Sequence, residues 1–458
     1  MTVRRAHSRK GKQALRPLDG ITVLDLSRLL PGGMTTLMLA NFGAEVIKVE
    51  DTESGDYLRD TEPLVHGMGA VFRLISRGKK SVSINLKHPK GRAALLELVK
   101  RADVVIDGFR PGVMAKLKLG YDKLKAVNKG LIYVAITGYG QSGPNSKMAG
   151  HDLNYMSFGG ALDLIGNVGA PPAIPAIQFA DIAGGAWPAV IGTLMALRSR
   201  DQTGEGQLVD VSMLDGVVGM LPVALGQYTV TRQKPRRGAG RLSGRYACYH
   251  IYRARDGQWL SVAALEPKFW AELCKAIEHP ELISDQFEED DRQRILIAEL
   301  TRSFARRKAE EWMETFRGKD VCVSVVRDIA EVAHDEHLAA RGTVVPLKHP
   351  EGGTLDHLGV IPKLLGTPGE LGGEAPRLGE HTRAVLGKAG IGQKALDELL
   401  KAKAIRQAEP PVATAKPPAA TAKPPAAAKP PAAAKPQAAA GKPSAATAKP
   451  GGGPTPKR

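Results

Sequence analysis

Three segments of this 458-residue chain set ionisable side chains among small residues. The first is Gly150-His151-Asp152-Leu153-Asn154-Tyr155, where an imidazole and a carboxyl follow a glycine loop and precede an apolar helical stretch. In the second, Phe179-Ala180-Asp181-Ile182-Ala183-Gly184-Gly185, Asp181 is expected to cap a helix after the short extended run AIQF. The two glycines there let another backbone or a ligand come close. The third, Leu265-Glu266-Pro267, puts a carboxyl where the strand WLSVAAL ends and a helix begins. An imidazole and carboxyls are the groups of general acid–base catalysis. Read more plainly, Asp181 and Glu266 are helix caps and His151 is a loop histidine. Residue types alone leave both readings open.

Two other patterns do not carry chemistry. Gly138-Tyr139-Gly140-Gln141-Ser142-Gly143 matches GxGxxG, but Pro144, Asn145 and Ser146 follow where a dinucleotide fingerprint needs a helix. His334 and His337 stand at i,i+3 spacing on a charged helical stretch without a third clustered ligand, so no metal site is expected. Cys248, Cys274 and Cys322 are far apart, which excludes a disulfide scaffold and a CxxC zinc site.

The elements that must position these groups read as alternating strands and helices. GITVLDLS (20–27) is a strand ended by Arg28 and a Pro31-Gly32-Gly33 turn, followed by a helix from about Thr35 and a strand over Glu45–Val49. KSVSINL (80–86), DVVIDGF (103–109) and GLIYVAI (130–136) are further strands, with a helix over 89–102. This alternation predicts a doubly wound, mostly parallel, Rossmann-like α/β domain over 17–230. It is completed by about 341–406, reached through a Gly/Pro-rich loop (341–377). A smaller α+β domain is expected over 246–340, opening with a hairpin that turns at Asp256-Gly257.

The net charge of +17 first suggests a polyanion partner. Its distribution argues otherwise. Residues 1–16 carry six basic residues and no acid, and residues 407–458 carry eight with the single acid Glu409, which leaves 50 bases and 46 acids between. The N-terminal stretch (1–16) is a basic extension. Beyond Glu409 the chain is low-complexity, with 13 of its 32 prolines between Pro410 and Pro456 and recurring KPPAA. Such composition predicts a disordered basic tail, read first as a solubilising tether and alternatively as a segment in weak, salt-sensitive contact with polyanions. No apolar run follows the basic N-terminus, and the mostly apolar Ile182–Leu197 is short and Gly-rich against the roughly 20 residues of a span. No membrane span and a cytoplasmic location are expected; the chain ends in PKR rather than SKL.

In chain order, VLDLSRLLPGG, LANFGAEVIKVE, SVSINLKHPKGR, GFRPGVMAKLKLGY, LIYVAITGYGQSGP, GHDLNY, FADIAGGA, TGEGQLVDVSMLDG and LEPKFW resemble the family III CoA-transferases (CaiB/BaiF type). Within them the likeness is greatest to the α-methylacyl-CoA racemase branch, from about Leu18 to Leu400. The resemblance implies interconversion of (2R)- and (2S)-2-methylacyl-CoA thioesters through an enolate, with no metal or organic cofactor, CoA being part of the substrate. It implies His151 and Asp181 as opposed acid/bases and Glu266 hydrogen-bonded to His151, with Asp152 orienting the loop. Backbone N–H groups of Gly150, Leu153, Asn154 and Tyr155 would lie near the thioester carbonyl. CoA would run along Ile84-Asn85-Leu86-Lys87 and Gly108-Phe109-Arg110, with Lys116 near its phosphates. Asp51 stands where the racemase pattern often has arginine, so phosphate contacts are expected to shift to Arg28, Arg77 or Lys79. An interlocked homodimer is also implied, with Glu266 supplied by the partner. The alternative within the family is a CoA-transferase with Asp181 as nucleophile. Such members typically lack the histidine and the glutamate and carry a Gly-rich loop that GAGRLSG (238–244) matches poorly.

Overall fold

The computed structural model describes residues 15–349 and 352–409. Most of the basic extension and the proline-rich tail, with the polyanion contact expected of them, lie outside the described residues. The first strand, β1 (Thr22–Asp25), leads into helix α1 (Leu29–Asn41) and strand β2 (Glu45–Glu50). Strands β3 (Lys80–Ile84), β4 (Val104–Asp107), β5 (Ile132–Thr137) and β6 (Leu208–Ser212) follow, and β7 (Ile405–Arg406) returns from the C-terminal end. They form one sheet in the order β7-β3-β2-β1-β4-β5-β6, parallel except for β7, which pairs antiparallel to β3 through Ile405 and Ile84. This is the expected doubly wound α/β architecture.

A parallel sheet covered on both faces needs strands that are apolar throughout, and all six residues of β5 are buried. The strand period of two divides them between two cores. Val23, Val46, Val104 and Val134 face one layer, which includes Ala189 and Ala196. Leu24, Ile47, Val105 and Tyr133 face the other, closed by Leu386, Leu396 and Leu399 from the C-terminal helices. A third core, built around Trp270, Tyr252, Phe304 and Trp312, belongs to 246–323. There Tyr249–Arg253 and Trp259–Ala263 form the expected hairpin, and Val323–Val325 adds a third antiparallel strand. Gly257 supplies the positive φ (+91°) that its turn requires.

Four expectations need correction. Helix α1 starts at Leu29, so Pro31-Gly32-Gly33 is its first turn rather than a turn before it. Proline is tolerated there because first-turn N–H groups have no intrahelical acceptor. Gly32 is needed because a Cβ would fall 2.0 Å from Ser27 Oγ. His334 and His337 do not share a helix: Ile329–Ala333 ends, and Asp335 caps a new helix, Glu336–Ala340. The 341–377 loop contains a hairpin, Val344–Lys348 with Thr354–Leu358, whose return carries Gly352 and Gly353 at φ +105° and +84°. Finally, Ala180–Thr203 is helical throughout, long and apolar enough to cross a membrane by length and composition, with half of its apolar window buried in the fold.

Candidate functional site

Chain order reverses at β1: the sheet grows outward through β2 and β3, then crosses back to β4. Ligands of open α/β sheets bind at such a switch point, outside the carboxyl ends of the strands. Two turns meet there, Ser27–Arg28 after β1 and Gly108–Arg110 after β4. A Cβ on Gly108 would lie 3.7 Å from Ser27 Cβ.

The β1 turn is held by a buried charge network that sequence reasoning missed. Asp25 Oδ1 accepts the Ser27 N–H at 3.0 Å, and Lys48 Nζ donates to the Ser27 carbonyl at 3.0 Å and pairs with Asp56 at 2.9 Å. The signal was present: a carboxylate and an ammonium sit inside the apolar runs TVLD and EVIKVE. Lys79 belongs to this network, donating to Gly33 O at 3.0 Å and Thr36 Oγ1 at 2.6 Å. Arg77 is equally buried, and its Nη2 donates to the Leu358 carbonyl. Both point into packed layers, so the expectation that they take phosphate contacts is corrected. Arg28 is half-buried beside the switch point, paired with Asp51 at 2.8 Å and donating to the Tyr57 hydroxyl at 2.8 Å.

Of the remaining binding candidates, the Ile84 side chain is buried in the first core and offers a ligand only backbone. Asn85 and Leu86 are half-buried, and Asn85 Oδ1 accepts the Lys87 N–H at 3.0 Å. Lys87, Gly108, Arg110 and Lys116 are exposed, while Phe109 is half-buried against the first core. Strand spacing puts the end of β3 about 14 Å from the end of β4, a span suited to an elongated ligand.

His151 is the exposed N-cap of the helix Asp152–Phe158, in extended backbone (φ −130°, ψ 178°), and its N–H donates to Asn154 Oδ1 at 3.1 Å. Leu153 and Asn154 are exposed on that first turn, but the N–H groups of Asn154 and Tyr155 bond the His151 carbonyl at 2.8 and 3.3 Å, so the expectation that these two N–H groups face a thioester carbonyl is corrected. Asp181 is not a cap. It stands in the first turn of a π-helical segment, Ala180–Ala186, continuous with the helix Trp187–Thr203. π-helical turns are rare and concentrate at functional sites. The glycines of that turn face packed protein and not a ligand: a Cβ on Gly184 would sit 2.7 Å from the Met213 carbonyl oxygen, one on Gly185 2.8 Å from Met213 Cγ, and one on Gly216 2.1 Å from the Gly184 carbonyl oxygen.

Asp152 joins the two segments, its Oδ1 accepting the Asp181 N–H at 3.0 Å. Asp152 is thus bonded to the backbone of Asp181, 29 positions further along the chain. Burial, with the nearby Asp152 charge adding to it, pushes the Asp181 carboxyl up to about 6. Tyr155 lies beneath, its hydroxyl donating to the Gly150 carbonyl. Only glycine fits at 138 and 150, where a Cβ would fall 2.3 and 2.7 Å from the Tyr155 ring. Burial raises the Tyr155 phenol to about 12, and it also senses Asp181, Tyr139, Arg110 and Asp152. Arg110 of the β4 turn and the carboxylate pair therefore share one locality. Glu266 is exposed as the N-cap of Pro267–Ala276. Among the described residues no hydrogen bond joins it to His151.

The raised Asp181 carboxyl makes a stability prediction. Its folded pKa lies above the ordinary 3.8, so the native state holds the proton more tightly than the unfolded chain. Above pH 6 the buried charge costs about 1–3 kcal/mol. Asp181→Asn removes that cost and gives up at most about 1 kcal/mol of helix-dipole interaction. Thermal unfolding should show the variant a few degrees more stable at pH 8, with the gain fading as pH falls through 6 toward 4. A variant less stable at pH 8, or a gain independent of pH, would contradict a strained carboxylate.

Comparison with known proteins adds the following. A family model described as CoA-transferase family III matches residues 18–382. The α-methylacyl-CoA racemase of Homo sapiens is 35% identical over 390 residues, covering 85% of this chain and 97% of that protein. The succinyl-CoA–D-citramalate CoA-transferase of Chloroflexus aurantiacus is 32% identical, covering 81% and 93%. Among solved structures, a CAIB/BAIF family protein from Brucella suis superimposes with TM-score 0.73 at 30% identity, covering 82% of this chain and 100% of that one.

Proposed function

This chain belongs to CoA-transferase family III, and we propose that within the family it is a racemase interconverting (2R)- and (2S)-2-methylacyl-CoA thioesters. The observation that carries this reading is the hydrogen bond from the Asp181 N–H to Asp152, the residue next to His151. It ties the backbone of Asp181, whose carboxyl is raised to about 6, to the neighbour of the exposed His151. The α-proton of a thioester is weakly acidic. One group removes it, the enolate oxygen is supported by the N–H groups of Asp152 and Leu153 at the helix start, and the other group returns a proton to the opposite face. A base with a pKa near the working pH both takes and gives a proton readily, which suits a reaction run in both directions. The scheme calls on no metal or organic cofactor.

CoA is assigned to the crevice between the Ser27–Arg28 and Gly108–Arg110 turns, with Lys87 and Lys116 exposed toward its phosphates. An interlocked homodimer completes the reading, Glu266 reaching His151 of the other subunit. Support comes from exposed apolar side chains: Trp187, Ile191 and Met195 form one helical stripe, and Val223, Leu225 and Val230 are exposed on Pro222–Thr231.

The second reading, CoA transfer with Asp181 as nucleophile, is favoured by the nearly equal identity to the citramalate CoA-transferase. There a carboxylate oxygen would attack the thioester carbonyl and expel the CoA thiolate. Incubation of (2R)-2-methylacyl-CoA in deuterium oxide separates the two. A racemase washes deuterium into the α-position and yields both epimers with no second acid present. Exchange absent until an acceptor acid is added, with CoA passing to that acid, would reverse the assignment.

A further inference from the structure

The two central strands end alike. Asp25 closes β1 and accepts the N–H of Ser27; Asp107 closes β4 and accepts the N–H of Phe109 at 2.8 Å. Each carboxylate fixes the turn that follows it by bonding two residues on. Their compensation differs. Asp25 lies near the ammonium groups of Lys48 and Lys79, whereas Asp107, buried as deeply, has no cationic partner among the described residues. Its second oxygen instead receives the hydroxyl of Tyr133 from the adjacent strand β5. Tyr133 is itself buried and meets Tyr121 edge to ring. Burial pushes the Asp107 carboxyl up to about 6. A buried carboxyl without a counter-charge burdens the fold, yet this one makes two directed bonds, one of them into the Gly108–Phe109–Arg110 turn.

We propose that Asp107, oriented by Tyr133, is a positioning residue that presets the Gly108–Phe109–Arg110 turn for the CoA half of the substrate. This rests on the CoA-thioester reading above. With the pair in place, the turn stands formed against Ser27 before ligand arrives, and CoA does not have to order it.

The test measures free CoA by calorimetry and 2-methylacyl-CoA turnover for Asp107→Ala, Asp107→Asn and Tyr133→Phe. Asp107→Ala should raise the Kd for CoA, and KM with it, about tenfold, while kcat stays within about threefold. Tyr133→Phe should raise Kd about threefold, because the carboxylate loses its orienting partner but keeps Phe109. Asp107→Asn should recover most of the affinity, since its carbonyl oxygen still accepts the Phe109 N–H. A folded Asp107→Ala protein that binds CoA within twofold of wild type, or loses kcat rather than KM, overturns the proposal. Should that variant not fold, Tyr133→Phe decides, and an unchanged Kd overturns it. Wild-type protein that fails to bind CoA overturns the CoA reading itself, an outcome distinct from wild type binding and the variants matching it.

Discussion

His151→Ala is expected to slow inversion of 2-methylacyl-CoA by about 10²–10⁴-fold. The ring is exposed at a helix start, and its neighbours hold the local backbone without it: Tyr155 bonds Gly150, and Asp152 bonds Asp181. The loss should therefore fall on chemistry and not on folding. It should also be one-sided. With Asp181 intact, the epimer whose α-hydrogen faces the carboxylate still exchanges with solvent, but the proton is returned to the face it left. Following deuterium wash-in and chirality together, from each epimer separately, checks this. A CoA-transferase working through Asp181 would be nearly indifferent to the change. Mixing this variant with Glu266→Ala extends the test to the dimer. If Glu266 acts across the interface, random subunit exchange restores about a quarter of the sites. No recovery, with exchange of subunits verified, would put Glu266 in its own subunit or outside the reaction.

The second large effect is that of Asp181→Asn, expected to depress turnover at least as far, by about 10³–10⁴-fold, and for both epimers. The amide keeps the backbone N–H bonded to Asp152 and a similar shape, but it neither accepts a proton nor attacks a carbonyl. Both readings of the family chemistry lose their central group, so this variant tests the site and His151→Ala tests the reaction. Its expected stability gain at pH 8 matters here. A protein that is more stable and nearly inactive cannot have lost activity by unfolding, and the strained carboxylate is then retained for function. Residual turnover above a tenth of wild type would remove Asp181 from the centre of the mechanism.

Much of this was legible beforehand because it is local. Continuous apolar runs separated by helical repeats announce a parallel sheet, since strands covered on both faces have no polar side. His151, Asp152 and Glu266 stand out because each sits where a loop or strand turns into a helix, and all three were placed there by the structure. What misled was also local. Pro31-Gly32-Gly33 has turn composition, yet the missing acceptors of a first helical turn and the contact with Ser27 make the same residues helical. The glycines after Asp181 were open to a ligand until Met213 and Gly216 were found against them.

By itself the sequence determined the order of elements, the central parallel layer and the types of group available for acid–base chemistry, because periodicity and turn composition act over a few residues. Only the tertiary structure decided which charges are at work. It committed Arg28 to Asp51, drew Lys79 toward Asp25 and Arg77 onto Leu358, and set Asp152 on Asp181 across 29 positions of chain. Burial and pairing depend on what packs opposite a side chain, and in a doubly wound sheet the opposite side comes from distant segments.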